Sequence, residues 1–114
     1  MTDTHAKVVD GVLAALADPT RRQLLDRIST LGQATATTLA DGLPVTRQAV
    51  VKHLAVLDRA GLVESTKIGR EVLYAVRPDA LDTTARWMAA LAADWDRRLA
   101  KIKRLAEAAE RDSP

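Results

Sequence analysis

The sequence predicts a mainly α-helical domain carrying one β-hairpin, with five helices and a two-stranded ribbon. Three observations predict it. Apolar residues recur at helical spacing through most of the chain, the period drops to two only over residues 62–77, and Pro or Gly stands at most changes of pattern. A length of 114 residues suits one domain, and 47% hydrophobic with 28% charged residues suits a packed, soluble one. The whole chain, 1–114, is read as a single domain with a core over 6–78 and a long last helix over 79–110.

Val8, Val9, Val12, Leu13 and Leu16 fall on one helical face and predict a first helix over about 6–17. Asp18-Pro19 restarts the chain, because Asp suits an N-cap and Pro loses nothing at the first helical position. Leu24, Leu25, Ile28 and Leu31 carry the second helix to Gly32. A short third helix spans Thr35 to Asp41 with Leu39 and Ala40 inward, and Gly42-Leu43-Pro44-Val45 breaks it. Thr46 caps a fourth helix running to about Ala60, whose Val50, Leu54 and Leu57 sit at i, i+4 and i+7. Leu62–Lys67 and Glu71–Val76 then read as strands around a turn of Ile68-Gly69-Arg70. Pro78-Asp79 opens the last helix, with Trp87, Leu91, Trp95, Leu99, Ile102 and Leu105 as an apolar stripe. Residues 1–5 and 111–114 are expected to fray.

Several function classes are poorly supplied. There is no Cys, which removes disulfides, thiolate ligands and thiol redox sensing. His5 and His53 are the sole imidazoles, and no GxxxxGK[ST] or GxGxxG run occurs, so nucleophilic or phosphate-cradling catalysis lacks raw material. No enzyme activity, cofactor or metal is expected. The longest apolar runs fall far short of the ~20 residues that span a bilayer, and the N-terminus lacks the build of a signal peptide. The expected setting is the cytoplasm, with no membrane partner.

The net charge of +2 is unevenly spread. Residues 46–77 hold six Lys/Arg against three Asp/Glu, while 78–114 balance and 1–45 carry one surplus acid. A basic middle third points to a polyanion. A short helix, a four-residue break and a second helix have the helix-turn-helix build, which projects the second helix into a major groove ~12 Å wide. Thr46, Arg47, Gln48, Lys52 and His53 lie on its first two turns, where Arg can read guanine and Gln adenine, and Thr46 suits a phosphate. Lys67 and Arg70 lie at the hairpin tip, within reach of backbone or minor groove. A helix-turn-helix followed by a basic-tipped hairpin is a winged helix. His53 is open to two readings, a DNA contact or a partly buried residue bonded among the helices. Arg21 and Arg22 are expected to pair with Asp18 or Asp26.

These residues carry a family resemblance. Ala15-Leu16-Ala17-Asp18-Pro19-Thr20-Arg21-Arg22-Gln23-Leu24-Leu25 is similar to the opening motif of the arsenic-repressor (ArsR/SmtB) regulators. Thr46-Arg47-Gln48-Ala49-Val50-Val51-Lys52-His53-Leu54, Leu57 and Ala60-Gly61-Leu62-Val63 resemble its recognition helix and the step into the wing, and Gly69-Arg70 with Tyr74 its wing. The likeness covers about residues 8–80. It implies a winged-helix homodimer that represses transcription by occupying a promoter operator, with Arg47, Gln48, Lys52 and His53 meeting DNA. Val51 departs from the pattern, since a small polar residue, often Ser, is common there. The family's metal sites do not carry over: its third-helix cysteines are absent here, and no His follows Pro78 to join Asp79, Asp82, Asp94 and Asp96.

The last helix predicts company. About 32 residues at ~1.5 Å each make a rod of ~48 Å, longer than one small domain can cover. Self-association through Val9 and Leu13 of the first helix and Trp87, Leu91, Trp95, Leu99 and Ile102 of the last is the simplest cover. The expected partners are therefore double-stranded operator DNA and a second copy, with an unidentified small-molecule effector left open. The competing reading is a winged-helix protein-interaction module that does not bind specific DNA.

Overall fold

The computed structural model describes residues 3–113. Its elements are α1 (Asp3–Leu16), α2 (Pro19–Leu31), α3 (Ala36–Ala40), α4 (Arg47–Arg59), β1 (Val63–Ile68), β2 (Glu71–Val76) and α5 (Asp79–Arg111). Among the described residues these are five helices and one antiparallel hairpin, the predicted order. Residues 3–5 are helical where fraying was expected, and residues 1, 2 and 114 lie outside the described set.

The first compact unit runs as far as Thr84. Each of its helices begins or ends where side-chain chemistry requires. Asp18 sits in extended conformation and its Oδ1 accepts from the backbone N–H of Thr20 at 2.7 Å and of Arg21 at 3.2 Å, which occupies two otherwise orphaned donors of α2. Gly32 closes the same helix with φ +84°, donating its N–H to Ile28 O at 2.8 Å. A side chain there would strain the backbone. Thr35 and Thr46 cap α3 and α4 by accepting from Thr38 N and Ala49 N.

Leu24, Ile28, Leu39, Val50, Leu54, Leu57, Leu62 and Val63 all have zero exposure and join one apolar cluster. Each such side chain contributes about 1.5–3 kcal/mol over its exposed state. Because α4 supplies Val50, Leu54 and Leu57, its opposite face is fixed outward. The first compact unit ends at Thr84, inside α5. Ala80 and Thr84 are buried, so the first turns of α5 belong to the core, and Thr84 Oγ1 satisfies itself on Ala80 O at 2.8 Å.

β1 and β2 pair from Val63↔Val76 to Ile68↔Glu71, leaving Gly69-Arg70 as a two-residue turn. Ile68 thus belongs to a strand, not to the turn. Gly69 has φ +63° and among the described residues no non-Gly residue has positive φ, the pattern of a type II′ turn with Gly first. The hairpin is not alone on its outer edge. Ala34 and Tyr74 exchange backbone hydrogen bonds of 3.0 and 2.8 Å, so the segment between α2 and α3 adds a one-residue third strand and ties the ribbon to the helices.

The second unit begins at Ala85 and holds the remainder of α5, to Arg111. Its large apolar residues are exposed: Leu91 44%, Trp95 51%, Leu99 57%, Ile102 59% and Leu105 62%. Trp87 is half-buried. Asp94 pairs with both Arg97 (3.6 Å) and Arg98 (3.1 Å), and the Arg98 guanidinium lies 5.5 Å over the Trp95 ring. One carboxylate thus serves two guanidiniums, one turn further along the same face.

Candidate nucleic-acid interface

With Val50, Leu54 and Leu57 turned into the core, α4 shows solvent Arg47, Gln48, Val51 and Lys52 on its first two turns. Thr46 is exposed, but its Oγ1 already serves as the helix cap at 3.1 Å from Ala49 N. The hydroxyl hydrogen remains to donate to a phosphate. Arg47 Nε donates to Thr37 Oγ1 at 3.1 Å, which braces the side chain on α3 and leaves the two terminal nitrogens for a paired contact. Arg47 thereby ties the two helices of the helix-turn-helix together. Sequence reasoning missed this brace, because nothing in the spacing of Thr37 and Arg47 marks them as neighbours.

A cleft of about 520 Å³ joins α4 to the hairpin. Arg47 and Val51 line it from α4, Thr37 from α3, and Arg70, Glu71 and Tyr74 from the hairpin. Arg47 and Arg70, assigned from separate elements, therefore border one concave surface. Gln48, Lys52 and Lys67 are exposed outside it.

His53 lies elsewhere. It is half-buried, with Nδ1 3.4 Å from Arg21 Nη1. Arginine has no acceptor, so the imidazole nitrogen accepts and the ring hydrogen of this arrangement is on Nε2. The partly buried reading holds for the ring, and its Nδ1 is occupied within the helical core. Arg21 does more than pair with Asp18 at 3.8 Å: its Nε donates to Ala15 O at 2.6 Å and its Nη2 to Ala14 O at 3.3 Å. Arg22 Nη1 takes Leu16 O at 2.5 Å in place of Asp26. Two arginines of α2 thus satisfy the free carbonyls at the end of α1. The Asp18 carboxyl is held below its ordinary value, first by the hydrogen bond from Arg21 N, with desolvation opposing and the hydrogen bond from Thr20 N and the Arg21 charge adding to the lowering.

The residues expected at a subunit interface divide. Leu13, Leu91, Trp95, Leu99 and Ile102 are exposed, whereas Val9 is 2% exposed. Val9 is therefore corrected to an interior residue, since it has almost no surface left to offer a second chain. Among the described residues no group of three or more His, Asp or Glu could hold a metal ion, and no helix is long and apolar enough to cross a membrane.

This geometry has relatives. The helix-turn-helix domain family matches residues 16–66. The ArsR-like transcriptional regulator of Rhodococcus sp. RHA1 shares the fold with a TM-score of 0.80 and 45% identity, over 92% of this chain and 97% of that one. The transcriptional repressor SdpR of Bacillus subtilis is 28% identical over 80 residues, 70% of this chain and 88% of SdpR. The homodimeric winged helix-turn-helix DNA-binding domain Mb0332 of Mycobacterium bovis, a possible ArsR-family regulator, matches with a TM-score of 0.60 and 26% identity, over 82% of this chain and 88% of that domain.

Proposed function

This chain belongs to the ArsR-like family of helix-turn-helix transcriptional regulators and is a DNA-binding regulator of transcription, and on that premise we propose that it acts as a homodimeric, autoregulatory repressor on an inverted-repeat operator. The observation that carries the proposal is the shared cleft, where Arg47 of the recognition helix and Arg70 of the wing border one concave surface. α4 enters the major groove with Arg47, Gln48 and Lys52 forward. Arg47 and Gln48 read base edges, while Lys52, Thr46, Lys67 and Arg70 hold phosphates. Val51, 40% exposed beside Arg47, presents methyl groups rather than a hydroxyl and suits the methyl of a thymine.

Two copies clasp through Leu13, Leu91, Trp95, Leu99 and Ile102, residues whose exposure leaves a long apolar surface for a partner. The homodimeric state of Mb0332 supports this arrangement. A two-fold axis then sets the recognition helices ~34 Å apart, one turn of duplex. Repression follows from exclusion of polymerase, as the likeness to the repressor SdpR supports. The protein works in the cytoplasm beside its DNA and needs no catalytic chemistry.

The test is a fluorescence-anisotropy titration of the upstream region of its own gene against a shuffled fragment. The expected result is saturable, preferential binding that weakens with salt at a log–log slope of about −5 to −7, from three to four phosphate contacts per subunit. Equal, weak binding to both fragments at low salt would favour the protein-interaction module instead.

A further inference from the structure

A second cleft, of about 490 Å³, lies within the first unit where α1, the end of α4, the end of β2 and the start of α5 meet. Its volume is in the ~300–1,000 Å³ range of small-molecule sites. Lys7 comes from α1, Arg59 from the last turn of α4, Arg77 from just beyond β2, and Asp79 from the first turn of α5. Thr4 adds a hydroxyl, the Thr83 hydroxyl donates to Asp79 O at 3.1 Å, and the rest of the wall is small or apolar. Three cations thus face one carboxylate. Arg77 is engaged at 3.9 Å with Glu64, but among the described residues Lys7 and Arg59 have no hydrogen-bond or ion-pair partner. The free amide hydrogens of the first turn of α5 add partial positive charge beside Asp79.

The cleft is remote from the DNA-reading turns. α4 has 13 residues, so Arg59 stands ~18 Å along the helix from Arg47. A nucleic-acid backbone seated on the N-terminal end of α4 has no need of these charges. We propose that this cleft binds a small organic or phosphate anion carrying two or more negatively charged oxygens, with Arg59 and Lys7 as principal donors and Arg77 recruited from Glu64. The fork of an arginine matches paired oxygens, and the lysine adds a point charge. Such an anion would link α1 to the far end of the recognition helix. It would serve as the effector of the regulator described above, and only this last consequence rests on that reading.

The experiment uses the full chain and reads binding without DNA. Inorganic phosphate and citrate are titrated by calorimetry and thermal shift, with chloride at matched ionic strength as reference and acetate as the singly charged comparison. Saturable binding of phosphate or citrate, with little response to acetate, is expected. The double variant Lys7→Gln/Arg59→Gln should bind at least tenfold more weakly with an unchanged circular-dichroism spectrum, while Lys101→Gln, on the far stretch of α5, should bind as the parent does. Responses no larger than chloride's, or equal affinity in the double variant, would overturn the site. Failure of the protein to bind its upstream DNA in plain buffer would count against the repressor reading alone. If the anion binds, its addition should change operator affinity in the parent and not in the double variant; an unchanged operator affinity overturns the effector role.

Discussion

Arg21 Nη1 approaches His53 Nδ1 to 3.4 Å, and the same guanidinium holds Ala14 O, Ala15 O and the Asp18 carboxylate. One side chain of α2 therefore links the end of α1 to the middle of the recognition helix. The angle at which α4 leaves the core depends on this joint as well as on apolar packing, because hydrogen bonds fix direction and the hydrophobic effect does not.

Removing the joint should loosen the fold more than it weakens any DNA contact. Arg21→Ala is expected to cost about 2 kcal/mol, since three carbonyl or imidazole acceptors lose a charged donor. His53→Gln costs less, and the pair should couple by about 0.5–1 kcal/mol in a double-mutant cycle measured by urea unfolding. Strict additivity would show that the contact carries no energy.

Asp18 makes acid stability predictable in sign. Its carboxyl titrates below the ordinary value in the folded chain, so its contribution is complete above the ordinary carboxylate range and is lost as pH falls through the folded value. Asp18→Ala should lower Tm by several degrees at pH 7, and the gap to the parent should shrink below about pH 4. A gap independent of pH would assign the loss to packing alone.

Arg47→Ala and Gln48→Ala should each lose about 1–3 kcal/mol on the operator while barely changing affinity for random DNA. Thr37→Ala, which removes the brace on Arg47 Nε, should produce a smaller loss of the same kind. Equal losses on both DNAs would reassign Arg47 and Gln48 to phosphate contacts.

Trp95→Asp sets a carboxylate in the exposed apolar stripe of α5 and under the Arg98 guanidinium. Dimer dissociation should strengthen by roughly a hundredfold, about 3 kcal/mol, and the mass from light scattering should fall toward one subunit. An unchanged mass would refute the clasp through α5.

What the sequence determined by itself was local. Caps at Asp18 and Thr46, the Gly32 stop, the hairpin and the inward triplet Val50, Leu54 and Leu57 all follow from patterns a few residues long. The candidate reading residues were legible for the same reason, because fixing one face of a helix fixes the other. Tertiary structure alone decided what joins distant segments. It seated His53 against Arg21, braced Arg47 on Thr37, paired Ala34 with Tyr74, buried Val9 and drew Lys7, Arg59 and Arg77 to one cleft. Such pairs leave no periodicity: a guanidinium on a long flexible stem reaches acceptors set by how helices cross, and that crossing is fixed only when the whole core packs.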